Sequence, residues 1–175
     1  MMTIQIFPEK CSGCTRCEVN CSFFHTGATS RNRARVRVVK IEEIGVTFPI
    51  FCRQCKEKYC TQCPESAIKI GELGQVFVSP TTCVGCGICQ TLCPVGAIEL
   101  YNELPYICDL CGGSPRCVNQ CVSGAIAFVK DITEPVSLKK YKKRNKGKSP
   151  EQKRIEYALD FTSGTRIDLL SEGRG

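Results

Sequence analysis

Sixteen cysteines arranged in four rows of four constrain this chain more than any other feature of its sequence. The rows are Cys11, Cys14, Cys17 and Cys21; Cys52, Cys55, Cys60 and Cys63; Cys83, Cys86, Cys89 and Cys93; and Cys108, Cys111, Cys117 and Cys121. The 175 residues fit one or two small domains, and so high a cysteine content is typical of proteins that are cross-linked or loaded with metal. With one histidine and two methionines, the chain offers little besides thiolate as a soft metal ligand.

The N-terminal sequence favours metal binding over disulfide formation. Residues 1–10, MMTIQIFPEK, contain no basic segment, no apolar segment and no arginine pair of the kind that directs export. We therefore expect a cytoplasmic location, where reducing conditions disfavour disulfides. No apolar run approaches the roughly 18–20 residues needed to span a bilayer, which predicts no membrane insertion.

The spacing within rows one and three indicates the metal chemistry. Both rows read C-x2-C-x2-C-x3-C, and row three ends in Cys93-Pro94, which is the pattern of bacterial iron–sulfur proteins. In that pattern three thiolates bind one 4Fe–4S cluster and the fourth binds another, so sixteen cysteines predict four 4Fe–4S clusters. Row two, C-x2-C-x4-C-x2-C, also resembles paired zinc knuckles, and structural zinc sites stay open as an alternative.

A second repeat accompanies the rows. The segments CPESAIKI (63–70), CPVGAIEL (93–100) and CVSGAIAF (121–128) share a small residue, Ala-Ile and an apolar alternation that predicts a short strand. Upstream, TIQIFPEKC (3–11) and QVFVSPTTC (75–83) both predict a strand and a proline turn before the first cysteine of a row. The chain is therefore predicted to repeat a unit of strand, cysteine loop, short helix and strand.

On these rows and repeats the chain resembles a bacterial dicluster ferredoxin doubled by insertion. This is the pattern of the iron–sulfur subunits of the dimethyl sulfoxide reductase, formate dehydrogenase and nitrate reductase complexes, and the resemblance covers about residues 1–130. It implies an α+β fold with an outer module (residues 1–50 and 101–130) and an inserted module (residues 51–100). A basic C-terminal extension with a short helix, residues 131–175, is expected to serve as a docking tail.

The resemblance also implies which cysteines share a cluster. The four sets are Cys11, Cys14 and Cys17 with Cys121; Cys108, Cys111 and Cys117 with Cys21; Cys52, Cys55 and Cys60 with Cys93; and Cys83, Cys86 and Cys89 with Cys63. The chain departs from the family pattern at two points. Row two has two residues between Cys60 and Cys63 where the family usually has three, and rows one and four lack the proline after their last cysteine.

The first row and the arginine-rich stretch after it resemble one subgroup of these iron–sulfur subunits. CSGCTRCEVNCSFFHTG (11–27) and SRNRARVRV (30–38) look closest to the small electron-transfer subunits of tungsten aldehyde oxidoreductases. This implies a non-catalytic subunit that passes electrons between a larger tungsten- or molybdenum-containing subunit and a flavin/NAD subunit or ferredoxin. The open alternatives are a partner of carbon monoxide dehydrogenase, formate dehydrogenase or hydrogenase, a free-standing polyferredoxin, and a zinc-based interaction module. Self-association is compatible with the extension.

The net charge argues against a nucleic-acid partner. The formal charge is +7, and residues 1–130 hold 13 Lys+Arg against 10 Asp+Glu. Four oxidised clusters with their thiolates would add roughly −8. We therefore interpret the basic excess as compensation for cluster charge and not as a phosphate-binding surface.

The extension combines a basic run with a predicted helix. KKYKKRNKGK (139–148) has seven Lys+Arg in ten residues and is expected to be either a solvated flexible linker or an arm across an acidic partner. Ser149, followed by Pro150 and Gln152, predicts a helix start with a capping box, and Gly164 is expected to end that helix. Its apolar face, predicted to dock on the chain's own core or on a neighbour, contains Ile155, Ala158 and Leu159.

Two further features carry open interpretations. RARVRVVKIEE (33–43) alternates basic and apolar residues, which predicts a half-buried hairpin with a solvated basic face or a contact surface for the catalytic subunit. His25 is expected to be either a histidine bonded to the backbone or a hydrogen-bond donor to a cluster sulfur.

Overall fold

The computed structural model describes residues 2–130 and 134–172, with side chains described as far as residue 163. Within these residues eight strands form four two-stranded antiparallel sheets, joined by five α-helices and several 3-10 turns. The strands are β1 (Thr3–Ile6), β2 (Val36–Ile41), β3 (Val46–Phe51), β4 (Ile68–Ile70), β5 (Val76–Val78), β6 (Glu99–Tyr101), β7 (Leu104–Tyr106) and β8 (Ile126–Val129). The helices are α1 (Arg16–Thr26), α2 (Ile88–Leu92), α3 (Arg116–Asn119), α4 (Lys139–Arg144) and α5 (Pro150–Glu172).

The strand pairing joins distant parts of the chain. β1 pairs with β8, so that Ile4 lies opposite Phe128 and the region before row one meets the region after row four. β4 pairs with β5 and links the end of row two to the start of row three. The strands predicted after rows two, three and four are β4, β6 and β8, and those predicted before rows one and three are β1 and β5.

The segment 33–43 forms the predicted hairpin. β2 pairs with β3, and the alternation holds because Val36 and Val38 are buried at 2% and 3% exposure. Its basic face is not simply solvated, since Arg37 donates hydrogen bonds to the carbonyl oxygen of Ala34 and Arg35 pairs with Asp109. Arg37 on β2 and Arg35 just before it therefore hold neighbouring loops in place.

The core contains thiols as well as hydrocarbon. Its fully buried apolar side chains include Ile4, Phe48, Ile50 and Phe51, and six buried cysteines lie in the same cluster: Cys21, Cys60, Cys89, Cys93, Cys108 and Cys117. Each sheet has only two strands, and an isolated pair of strands is at best marginally stable. The fold is therefore arranged around the cysteine loops.

The C-terminal extension packs on the chain's own core. The stretch 139–148, expected as a flexible linker or partner arm, forms α4 and the turn after it. Its cations face acidic residues of α5, where Lys140 lies 2.9 Å from Asp160 and Arg144 lies 2.6 Å from Glu156. The charge run is ordered because α5 supplies the opposite charge.

Helix α5 begins as predicted but ends later. Ser149 Oγ accepts a hydrogen bond from Gln152 N at 3.2 Å, and Gln152 Oε1 accepts one from Ser149 N at 3.0 Å, so the capping box is present. The predicted end at Gly164 and the short length are wrong, since α5 runs 23 residues to Glu172. A glycine inside a helix costs only about 1 kcal/mol and need not end it.

The buried face of α5 differs from the predicted one. Ala158 is fully buried, but Ile155 and Leu159 are only partly buried. Tyr157 is 2% exposed, and its ring centroid lies 5.9 Å from that of Phe48 on β3, while the ring centroid of Phe161 lies 5.1 Å from that of Phe48. Of the two expected docking modes, the helix adopts packing against its own core.

Residues 131–133 and 173–175 of the extension lie outside the described residues. Within the described part of the chain, no helix is both long and apolar enough to cross a membrane.

Candidate metal centres

Residues in the left-handed backbone conformation turn the loops of rows one and three around their cysteine sulfurs. Gly13 (φ 67°) and Thr15 (φ 60°) occupy the same positions in row one as Gly85 (φ 69°) and Gly87 (φ 74°) in row three. Glycine adopts this conformation without steric cost. The loops then run into α1 and α2, so the fourth cysteine of each row lies further on, at the far end of a helical turn or just beyond it.

The structure brings the sixteen cysteines together in four thiol groups, which we number 1 to 4. Group 1 lines one cavity and comprises Cys11, Cys14, Cys17 and Cys121. Group 2 lines a second cavity and comprises Cys21, Cys108, Cys111 and Cys117. Each group takes cysteines from rows one and four, which the β1–β8 pairing holds together.

Groups 3 and 4 combine rows two and three in the same way. Cys52 interacts electrostatically with the three other members of group 3, which are Cys55, Cys60 and Cys93. Cys89 interacts with the three other members of group 4, which are Cys63, Cys83 and Cys86. The four groups contain the same cysteines as the sets implied by the resemblance; that each set binds a cluster stays a prediction.

The donor set fits an iron–sulfur cluster. All sixteen cysteines are free thiols, although four lie together in each group. Burial raises the pKa of Cys17 and Cys60 to about 12, and that of Cys21 and Cys89 to about 11. Buried thiols such as these four ionise readily only where a cation compensates their charge, and the iron of a cluster would provide that compensation.

Backbone N–H groups also point at the sulfurs. Arg35 N donates to Cys21 Sγ at 3.2 Å, and Ala97 N donates to Cys93 Sγ at 3.3 Å. Ala97 is the alanine of the repeated Ala-Ile pair, so the repeat places a donor beside the last cysteine of its row. Hydrogen bonds of this kind stabilise thiolate ligands and influence cluster potentials.

One pair of cysteines links each group to the next. Cys17 of group 1 interacts electrostatically with Cys117 of group 2. Cys108 of group 2 interacts with Cys52 of group 3, and Cys60 of group 3 interacts with Cys89 of group 4. The groups therefore follow one another in the order 1, 2, 3, 4.

Polar side chains surround group 2. His25, on α1 and not in a loop, has Nε2 3.6 Å from Cys111 Sγ and 3.7 Å from Asp109 Oδ1. Asp109 in turn forms a 2.6 Å ion pair with Arg35. Burial, assisted by Arg35, lowers the pKa of His25 and favours its neutral form. His25 thus lies where a donor to a cluster sulfur is expected, and its proximity to Asp109 and Cys111 belongs to this same site.

A buried glutamine connects groups 2 and 3 and was missed from the sequence. Gln54 is 1% exposed and donates from Nε2 to the carbonyl oxygen of Cys108 at 2.9 Å. Its Oε1 accepts from Val76 N at 3.1 Å. The sequence signal was a polar residue between Cys52 and Cys55, but a long-range partner cannot be read from spacing alone.

Comparison with known proteins identifies the family. The 4Fe-4S binding domain family (Fer4) matches residues 76–99, which contain row three. The chain is 36% identical over 162 residues to the polyferredoxin-like subunit of an aliphatic sulfonate oxidoreductase from Pyrococcus furiosus, covering 89% of this chain and 90% of that protein. The chain belongs to the polyferredoxin-like iron–sulfur proteins.

A second relative of this polyferredoxin-like chain is an iron–sulfur protein of Rhodospirillum rubrum, 30% identical over 86% of the chain and 93% of that protein. The iron–sulfur, ferredoxin-type electron-transport character predicted from the rows is therefore confirmed. Among solved structures, the active-site complex BamBC of benzoyl coenzyme A reductase is 27% identical, with 99% of this chain and 96% of that chain covered and a TM-score of 0.48. At that TM-score the likeness is too loose to transfer any feature.

Proposed function

We propose that this chain is a non-catalytic subunit that binds four 4Fe–4S clusters, one in each thiol group, and relays single electrons to or from a catalytic oxidoreductase subunit. The observation that carries the proposal is the arrangement of sixteen free thiols in four adjoining groups. A 4Fe–4S cluster, when bound, supplies one-electron redox chemistry. The chain's part is to hold the groups in sequence, exclude water and set each potential through hydrogen bonds and charge.

Groups 1 and 4 are the proposed points of electron entry and exit. Of the sixteen cysteines only Cys14 and Cys86 are exposed, and they belong to the two end groups. Exposed apolar side chains also lie next to cysteines of these two groups. Val122, beside Cys121 of group 1, is 78% exposed, and Val84, beside Cys83 of group 4, is 66% exposed. Short-lived contacts with redox partners at both ends fit this exposure.

The same arrangement supports two nested modules. The proposed outer module, residues 1–50 and 101–130, would hold groups 1 and 2 and is supported by the β1–β8 pairing. The proposed inserted module, residues 51–100, would hold groups 3 and 4 and is supported by the β4–β5 pairing. Residues 131–175 would then be an extension, and its described part packs on both.

For the catalytic partner we propose a tungsten aldehyde oxidoreductase subunit in the cytoplasm. The support is the motif in residues 11–38, together with a relative that is itself a polyferredoxin-like subunit of an oxidoreductase. A partner from the carbon monoxide dehydrogenase, formate dehydrogenase or hydrogenase systems, or a free-standing polyferredoxin, is the alternative. Tungsten and molybdenum analysis of the complex purified from its native cells distinguishes these cases.

Iron and sulfide analysis tests the cluster count. We expect anaerobically purified protein to be brown and to contain roughly sixteen iron and sixteen sulfide per chain, because each thiol group accommodates four of each. Electron paramagnetic resonance of the dithionite-reduced protein should show the reduced clusters. Iron near zero with zinc present would refute the proposal in favour of a structural zinc protein.

Cys63 tests the row with the unusual spacing. We expect Cys63→Ser to lose or convert the cluster of group 4, because serine replaces a soft thiolate, and the iron content to fall by roughly one to four atoms per chain. The exposed neighbour in Gln62→Ser serves as the control and should retain all its iron. Four unchanged clusters in the Cys63 variant would mean that Cys63 is not a ligand.

A further inference from the structure

Lys153 is a buried lysine whose Nζ has no carboxylate partner among the side chains that the structure describes. It lies in the first turn of α5 and is 3% exposed. Its Nζ donates to the carbonyl oxygen of Thr91 at 2.8 Å. Over residues 2–130 and 134–163, no carboxylate oxygen lies within 4.0 Å of this Nζ. Because a buried cation needs a compensating charge, the site calls for an anion other than the carboxylates of the described residues.

The anion that Lys153 faces belongs to group 3. The Nζ of Lys153 is bonded to Thr91, two residues before Cys93 in the same loop. Burial lowers the pKa of Lys153, and the charge of the Cys93 thiolate opposes that lowering. Nearby cations have other partners, since Arg154 pairs with Glu99 and Lys148 pairs with Glu156 at 3.1 Å. Lys142 also lies close to Lys153 and adds positive charge on the same side of the loop.

The C-terminal extension is hydrogen-bonded to the loop that carries Cys93. Besides Lys153, three donors reach consecutive parts of this loop: Lys142 Nζ to Leu92 O at 3.2 Å, Asn145 Nδ2 to Pro94 O at 2.9 Å, and Arg154 NH1 to Gly96 O at 3.0 Å. Asn145 is 2% exposed, so this contact is buried. These bonds to four carbonyl oxygens hold the loop, and with it Cys93, against α4 and the start of α5.

We propose that Lys153 is the counter-ion of the cluster bound by group 3 and that its charge raises the reduction potential of that cluster above what the same ligands alone would give. The proposal rests on the proposed function. An oxidised cluster with four thiolates carries about −2 and gains one more negative charge on reduction. A fixed ammonium in a site of low dielectric constant therefore stabilises the reduced form more than the oxidised form. The basic C-terminal extension thus tunes the third cluster of the relay.

The test compares the potentials of the intact four-cluster protein in matched variants. In Lys153→Met, a redox titration followed by electron paramagnetic resonance should shift one of four transitions to lower potential. We expect at least a tenfold change in its equilibrium constant, which is 59 mV for one electron. The shifted transition should be the one that Cys52→Ser removes. In Lys153→Arg the reduction potential of this transition should change by no more than about a tenth of that amount. Lys146→Met, at an exposed lysine of the same extension, should leave the potential unchanged.

Every other outcome of these experiments either supports or overturns the proposal. Unchanged transitions in Lys153→Met at full iron content would overturn the proposal, as would a shift in Lys153→Arg as large as that in the Met variant. If Met disrupts folding, Lys153→Gln, which keeps a donor for Thr91 O, replaces it. If Lys153→Met and Lys153→Gln both lose the group 3 cluster, the proposal is supported only if Lys153→Arg retains that cluster. Loss of the cluster in Lys153→Arg as well would refute the proposal. A wild-type protein without iron would instead refute the proposed function.

Discussion

Removal of iron and sulfide is expected to unfold most of the chain. The four sheets have two strands each, six cysteines lie in the core, and burial opposes ionisation of thiols such as Cys17 and Cys60. Without clusters the four thiol groups would leave cavities lined by polar sulfur at the junctions of the fold. In small metal-dependent domains the free energy of metal binding is also the free energy of folding, about 10 kcal/mol or more for a structural site. The cooperative thermal transition of the holoprotein should disappear.

Circular dichroism and calorimetry before and after anaerobic oxidation with ferricyanide and a chelator measure this effect. Rebuilding the clusters with ferrous iron and sulfide should restore the transition, which controls for chemical damage to the chain. Some helical signal should persist where α5 packs on β3, since Phe48, Tyr157 and Phe161 form an aromatic cluster that needs no sulfur ligand. An iron-free chain that unfolds cooperatively near the temperature of the holoprotein would contradict the prediction.

Features set by local spacing could be predicted from the sequence. Rows one and three specify tight loops followed by a helical turn, and α1 and α2 begin within those rows. The Ala-Ile repeat predicts short strands, and β4, β6 and β8 begin at or just after it. Both inferences depend on residues within about ten positions of one another, where backbone geometry leaves few alternatives.

Features set by distant partners could not be predicted. The basic run 139–148 has the composition of a solvated linker, and only the placement of Glu156 and Asp160 on α5 makes it a helix. The burial of Lys153 depends on the loop carrying Cys93, about sixty residues earlier. Likewise, the sequence alone could not distinguish the two roles expected for His25. Its 3.6 Å contact with Cys111 joins residues that are 86 positions apart in the chain.

Replacing Gly96 by alanine is expected to destabilise the protein far more than the same change at Gly124. The two glycines occupy the same position of the Cys-x-x-small-Ala-Ile repeat and have nearly equal left-handed conformations, with φ 65° and 67°. The backbone cost of adding a Cβ, about 1–2 kcal/mol, is therefore common to both. At Gly96 the new Cβ would clash with the carbonyl oxygen of Pro150, whereas at Gly124 no described heavy atom lies within 4 Å.

The difference between the two variants isolates the contact of α5 with the Cys93 loop. Ser66, at the equivalent position after row two, has φ 50° and shows that the repeat itself accepts a side chain. We expect Gly96→Ala to cost about 1–3 kcal/mol of unfolding free energy beyond Gly124→Ala, measured by anaerobic denaturant unfolding of the holoproteins. Because the clash is with backbone, its relief separates the start of α5 from the Cys93 loop, which withdraws Lys153 from Thr91. The group 3 potential should therefore fall in Gly96→Ala as in Lys153→Met, and equal stabilities for the two glycine variants would contradict this close packing.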